Sequence, residues 1–152
     1  MIQRIQSIFL LASLFFLGSM FFVPIAEVVS ETGRILIFNL SGFYQTIAGV
    51  TILSSRLSSL MIFGVLICAL NFIVIFMYRR RILQSRLCVC NILLLFVLMI
   101  VILFSLYFVQ GCHSVSYRLA SVFPVISVIF HYLAFRGIRK DELMVQASNR
   151  LR

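Results

Sequence analysis

Leu57-Ser-Ser-Leu-Met-Ile-Phe-Gly-Val-Leu-Ile-Cys-Ala-Leu-Asn-Phe-Ile-Val-Ile-Phe-Met-Tyr78 contains no charged residue, and Arg56 and Arg79 close it at its two ends. Its 22 residues (57–78), each rising 1.5 Å in a helix, are enough to cross a hydrocarbon core of roughly 30 Å. Inside such a core every backbone N–H and C=O must be bonded within its own segment, so the stretch reads as a spanning helix. The same pattern recurs. Ile5–Ala26 is uncharged between Arg4 and Glu27, Leu87–Tyr117 between Arg86 and Arg118, and Leu119–Phe135 between Arg118 and Arg136. Leu87–Tyr117 is too long for one crossing and Leu119–Phe135 slightly short. The polar break Gln110-Gly-Cys-His-Ser-Val115 divides them, which places spans at about 87–109 and about 116–136.

Composition agrees with that reading. Of 152 residues, 62% are hydrophobic and 11% charged, with a mean hydropathy of +1.14. A soluble domain carries about a quarter charged residues, and a disordered chain needs low hydrophobicity. The expected fold is an all-α membrane protein forming one domain over 1–152: a four-transmembrane-helix bundle with spans at about 5–26, 57–78, 87–109 and 116–136. An outer connector, 27–56, follows the first span, and a cytoplasmic tail, 137–152, ends in a short helix. The first span is expected to stay as an anchor. It is about twice as long as an ordinary signal core, and Pro24-Ile-Ala-Glu27 is no small-x-small cleavage site.

Orientation follows from the cations. Arg4, then Arg79, Arg80, Arg81 and Arg86, then Arg136, Arg139, Lys140, Arg150 and Arg152 fall on one side. Arg34, Arg56 and Arg118 fall on the other, so both termini should be cytoplasmic. A five-span arrangement with Ile35–Ser55 as a crossing helix satisfies the charge rule equally well. It is disfavoured by Asn39, Ser41, Gly42, Tyr44, Gln45, Thr46, Gly49 and Thr51, a polar density that is costly in lipid. The connector is therefore expected to lie along the membrane surface. Arg34–Phe38 suits a short strand and Ser41-Gly42 a turn, the makings of a small β-hairpin, with Phe43 and Tyr44 as interfacial anchors.

A net charge of +9 and a pI of about 10.3 invite a nucleic-acid reading. Arg79-Arg80-Arg81 is too short for one, and aromatic stacking platforms are lacking near it on the soluble side. Arg79, Arg80, Arg81, Arg86, Arg136, Arg139 and Lys140 instead serve topology and contact with anionic lipid heads, at about 1 kcal/mol each near the surface.

Chemistry-bearing residues are few. Of Cys68, Cys88, Cys90 and Cys112, only Cys112 falls on the outer side, so no intrachain disulfide is expected there. Cys88 and Cys90 point to nearly opposite helix faces and cannot easily chelate one ion. His113 and His131 fall at opposite ends of the fourth span, about 27 Å apart along a helix. No metal or other cofactor is expected. The uncharged runs hold no Asp, Glu, Lys or Arg of the kind pumps place inside the membrane. Phosphate-binding glycine loops, nucleophile elbows and metalloprotease signatures are absent, so the expectation is a protein that is not an enzyme.

One polar level stands out. Asn71, Asn91 and His131, with Gln6, lie about 3–12 Å in from the cytoplasmic boundary. They read either as hydrogen bonds between helices, each worth about 0.6–2 kcal/mol, or as a pocket open to the cytoplasmic leaflet in which His131 titrates. Pro124 is expected to kink the fourth span by removing the bond to Ala120. Gly64 and Cys68 form a small pair suited to close helix approach. The tail suits an amphipathic helix on the inner surface or a docking element for a soluble partner.

Met1-Ile-Gln-Arg-Ile-Gln-Ser7, Arg86-Leu-Cys at the start of the third span, Tyr117-Arg118 with Pro124, and Arg136-Gly-Ile-Arg-Lys-Asp-Glu142 together resemble domain-of-unknown-function family 4293, small bacterial integral membrane proteins. The resemblance covers nearly the whole chain. It implies four helices and an inner-membrane address, and it brings no activity and no catalytic residues. The expected role is a non-enzymatic scaffold or accessory subunit that binds other membrane proteins, lipids or its own copies. Residues 79–86 and 136–152 would be its cytoplasmic handles. The alternative is a small carrier or channel for an apolar or weakly polar solute, using the level of Asn71, Asn91 and His131.

Overall fold

A computed structural model describes residues 2–30, 35–47, 50–77, 80–107 and 112–150. The chain is mostly helical: α1 (Ile2–Ser19), α2 (Ser58–Phe76), α3 (Arg81–Tyr107) and α4 (Phe123–Arg150). Three stretches are helical, long and apolar enough to cross a membrane, Ser58–Phe76, Ile82–Tyr107 and Leu119–Asp141; the apolar part of α1, Gln6–Ser19, is shorter. The helices form a ring in chain order, with α1 against α2, α2 against α3, α3 against α4 and α4 back against α1.

Their buried positions advance in steps of three and four. On α1 these are Gln6, Leu10, Ser13 and Leu17; on α2, Leu60, Gly64, Ile67, Asn71 and Val74; on α3, Gln84, Cys88, Asn91, Leu95, Leu98 and Ile102; on α4, Ser127, His131, Ala134, Ile138 and Asp141. That spacing puts the buried positions of each helix on one narrow face, turned toward its neighbours. The outward faces are apolar too, with Ile8, Phe15, Ile62, Phe72, Leu93 and Ile100 all exposed. Oil on both sides of a helix suits a bilayer as the surrounding medium. Between α1 and α4 an aromatic row tightens the seam, Phe130 stacking on Phe9 at 6.2 Å and on Phe16 at 5.9 Å.

A five-stranded antiparallel sheet caps the end where α1 and α3 finish and α2 and α4 begin. Its strands are β1 (Ala26–Ser30), β2 (Ile35–Asn39), β3 (Gly42–Ile47), β4 (Val50–Arg56) and β5 (Cys112–Tyr117), in the order β4-β3-β2-β1-β5. β5 comes from the α3–α4 connection and pairs with β1, Ala26 opposite Tyr117 and Val28 opposite Val115. An ion pair between Glu27 and Arg118 reinforces that join. Ala26, Val28, Phe38 and Phe43 are buried in one core with Leu17, Met20, Leu60, Leu98 and Ile102 of the helices.

The β2–β3 hairpin is a two-residue turn, Leu40-Ser41, between Asn39 and Gly42, which face each other. Gly42 has φ 147°, a backbone setting that a side chain would strain. Leu40 points down from the turn onto α2. A Cβ on Gly64 would stand 2.7 Å from Leu40 Cδ2 and 3.2 Å from Phe21 Cζ.

Several expectations need correction. The fold is not all-α, since most of the connector 27–56 is strand. The turn lies one residue earlier than Ser41-Gly42. Phe43 is core, its ring 4.7 Å from that of Phe38, so it is no interfacial anchor. The five-span alternative is excluded because Ile35–Asn39, Gly42–Ile47 and Val50–Arg56 are strands. Helix α1 stops at Ser19, short of 26, because the chain turns at 20–22 to enter β1. The fourth span does not begin at 116: Cys112–Tyr117, including His113, is strand, and Leu119–Val122 is a 3-10 turn.

Pro124 produces no mid-helix kink. It lies in the first turn of α4, and the Phe123 N–H already donates to Ala120 O, so the missing proline donor costs little. Gly64 seats the hairpin tip, not a neighbouring helix. The tail forms no separate helix, as α4 continues through Gly137 to Arg150. Ile138 and Asp141 extend its buried stripe.

Candidate functional site

Between the sheet-side core and a smaller core of Leu10, Val74, Cys88 and Ala134 lies a connected polar level. Asn71 Nδ2 on α2 donates to Ser13 Oγ on α1 at 2.9 Å, and Ser13 Oγ donates to Leu10 O at 2.7 Å. Ser127 Oγ on α4 donates to Ser13 O at 3.3 Å. His131 Nδ1 donates to Ser127 O at 2.9 Å, and its Nε2 lies 2.8 Å from Asn91 Nδ2 on α3. Cys88 Sγ on α3 donates to His131 O at 3.3 Å.

A carbonyl only accepts, so Nδ1 carries the imidazole proton, and Nε2 takes the Asn91 N–H as an acceptor. This is a neutral histidine held at both nitrogens. Ser13, Asn71, Cys88, Asn91, Ser127 and His131 are all 0% exposed. Two acceptors are left over, Asn71 Oδ1 and Asn91 Oδ1, both buried without a partner.

The fourth interface of the ring is bridged as well. Gln84 Nε2 of α3 donates to Val74 O of α2 at 3.2 Å. Each of the four helix–helix contacts therefore carries a buried hydrogen bond from a side chain. Further out, Gln6 Nε2 donates to Asp141 Oδ2 at 2.7 Å. Gly137 makes room for that reach, since a Cβ there would stand 3.0 Å from Gln6 Cγ.

Of the three polar residues singled out in the sequence, Asn91 and His131 bond directly. Asn71 joins them through Ser13 and Ser127. Gln6 lies apart, against Asp141. Ser13 and Gln84 escaped sequence reasoning, as did the bridging of Ser127 to α1. The available signal was the three-four spacing that puts Gln84 in register with Cys88 and Asn91, and Ser127 with His131. Among the described residues, no three His, Cys, Asp or Glu side chains converge as a metal site would need. Cys88 is buried and Cys90 exposed, on different sides of α3.

At the end away from the sheet, Arg80, Arg86, Arg136, Arg139 and Lys140 are exposed. Arg139 lies over the Phe135 ring, 5.8 Å from its centre, a cation–π contact. Arg81 opens α3, and Arg79 lies outside the described residues. A family model described as a domain of unknown function (DUF4293) matches residues 2–151. No curated protein matches the chain.

Proposed function

Because the chain belongs to the family of the domain of unknown function DUF4293, whose name carries no reaction, we propose a role from its own residues. It is a non-enzymatic membrane scaffold or accessory subunit that binds other membrane proteins, lipids or its own copies. All four helices cross the bacterial inner membrane. α1, with 18 residues, rises about 27 Å, close to the hydrocarbon thickness. Both termini and the exposed cations Arg80, Arg86, Arg136, Arg139 and Lys140 lie in the cytoplasm, and the sheet lies on the far side.

One observation carries the reading: every interface of the ring is pinned by a buried hydrogen bond, and the members of the central network have no exposed surface. Polar groups used in that way hold a bundle in one arrangement. Its outer faces and charged end are left for partners. Purification in mild detergent should bring down defined partners or a homo-oligomer; a clean monomer without partners overturns the proposal.

A second reading has one observation in its favour. Asn71 Oδ1 and Asn91 Oδ1 are acceptors without donors in the bundle interior, which a passing weakly polar solute could satisfy. Solute flux into vesicles holding the purified protein, lost in Asn91→Leu, would select this carrier reading over the scaffold.

A further inference from the structure

We propose that the chain pairs with a second copy of itself through β5, edge to edge, joining the two sheets into one continuous antiparallel sheet. The inference rests on the scaffold reading above and names both the partner and the surface.

β5 is an outer strand of the sheet, with β1 on one side of it and, among the described residues, no strand on the other. The Arg118 N–H donates to Ile25 O at 3.0 Å, and the register continues with Glu27 opposite Ser116 and Val29 opposite Ser114. Bonded pairs alternate along an antiparallel ladder, so Ser116 and Ser114 turn their backbone groups to β1. The N–H and C=O of Val115 and Tyr117 therefore point the other way, out of the sheet. Tyr117 is 60% exposed and Ser116 is exposed too, so this side is accessible. Edges that must stay single are usually blunted by charge or proline; Cys112–Tyr117 holds no Asp, Glu, Lys, Arg or Pro.

The register selects a second copy. With Val115 opposite Tyr117 of the other chain, both outward-pointing residues exchange their backbone bonds, and Ser116 meets Ser116 on the two-fold axis. The irregular Cys112 end, where the β1–β5 register shifts, stays outside the paired segment. An axis relating antiparallel neighbours runs through the sheet from face to face. Both copies therefore keep their helices on the same side of the joined sheet, as two chains in one bilayer must.

The space beneath the edge fits the same arrangement. Val115 packs against the helix core, and with Tyr117 it lines a recess of about 520 Å³ beside Leu103, Phe104 and Tyr107 of α3. In the joined sheet each Tyr117 ring lies beside the other copy's Val115 over this recess, an aromatic–aliphatic contact across strands. A lipid tail could fill the recess but offers nothing to the backbone groups above it. A strand answers both.

The test is disulfide trapping in native membranes, with Cys112→Ser as the background. Ser116 meets its copy at a non-bonded position, where Cα atoms stand about 4.5 Å apart, within reach of a disulfide. Ser114 would stand about 14 Å from its copy. Oxidation should link most Ser116→Cys chains as dimers and roughly tenfold fewer Ser114→Cys chains. Adding Tyr117→Lys to the Ser116→Cys chain puts a charge on the edge and should lower the yield roughly tenfold, with the unfolding temperature unchanged. Tyr117→Pro removes one outward N–H and no bond to β1, and serves if the lysine variant fails to fold. Equal trapping at 116 and 114, or a yield indifferent to both Tyr117 variants, overturns the interface. Linkage of Ser116→Cys to a different protein overturns the choice of a second copy. Partners that co-purify while 116 traps nothing sink this inference alone; a clean monomer without partners sinks the scaffold reading beneath it.

Discussion

Asn91 Nδ2 lies 2.8 Å from His131 Nε2 across the α3–α4 seam, while the oxygen of the same amide has no partner. The pair is both a tie and a liability: one bond is made and one acceptor is left dry. In a double-mutant cycle with Asn91→Ala and His131→Ala, reversible unfolding in mixed micelles should report a coupling of about 0.6–2 kcal/mol. Strict additivity would mean the contact contributes nothing. His131→Phe should lower the yield of folded protein in membranes, as it breaks contacts to both Asn91 and Ser127.

Gly64 is set by the hairpin tip. Gly64→Val should destabilise by about 1–3 kcal/mol, the usual cost of overpacking, because Leu40 is buried and has little room to retreat. Shortening the tip in Gly64→Val/Leu40→Ala should recover part of the loss, read as an unfolding temperature above that of Gly64→Val. No recovery would show that the clash lies elsewhere.

Gln6 and Asp141 hold α1 and α4 together at the end of the bundle away from the sheet. Gln6→Ala removes the donor to a buried carboxylate and should cost about 1–3 kcal/mol. Asp141→Asn keeps an acceptor facing Gln6 and should cost less. Equal losses in thermal unfolding would contradict the ordering. Gly137→Ala should resemble Gln6→Ala, because its methyl would stand where the glutamine stem passes.

Pro124 supports the start of α4, not its bend. Pro124→Ala should change stability by less than about 1 kcal/mol and leave the helix direction unaltered, as spin-label distances along α4 would show. A reoriented helix would restore the mid-span kink that its sequence context suggests.

The proposed orientation makes a simple prediction. Tags on both termini should resist external protease in spheroplasts, while a protease site inserted between β1 and β2 should be cut. An N-terminal tag that is cleaved from outside reverses the assignment.

The uncharged runs made α2 and α3 legible within a few residues, because charge and hydropathy are local quantities. The sheet was less legible. Phe43 alternates with polar neighbours in a way that suits a membrane surface as well as a strand, and only its partner Phe38 shows which is right. Cys112–Tyr117 reads as a polar break between two apolar runs; it becomes a strand because β1 lies beside it, a partner far away in sequence. Pro124 misled for a related reason, since its effect depends on where the helix begins, and β5 decides that. At the polar level, the residue types pointed to Asn71, Asn91 and His131. Ser13 and Ser127 complete the links between them, yet a serine within an apolar run looks the same whether it bonds across helices or back to its own turn.

The pairing of β1 with β5 has a consequence for biogenesis. The first strand leaves the ribosome long before the fifth, with two helices still to be made before its partner strand arrives. Until then Ala26–Ser30 presents an open edge, of the kind that invites wrong pairing or degradation. Closing the sheet therefore registers that the third helix has been made, and a chain cut short directly after it would carry that unfinished edge as a mark for quality control.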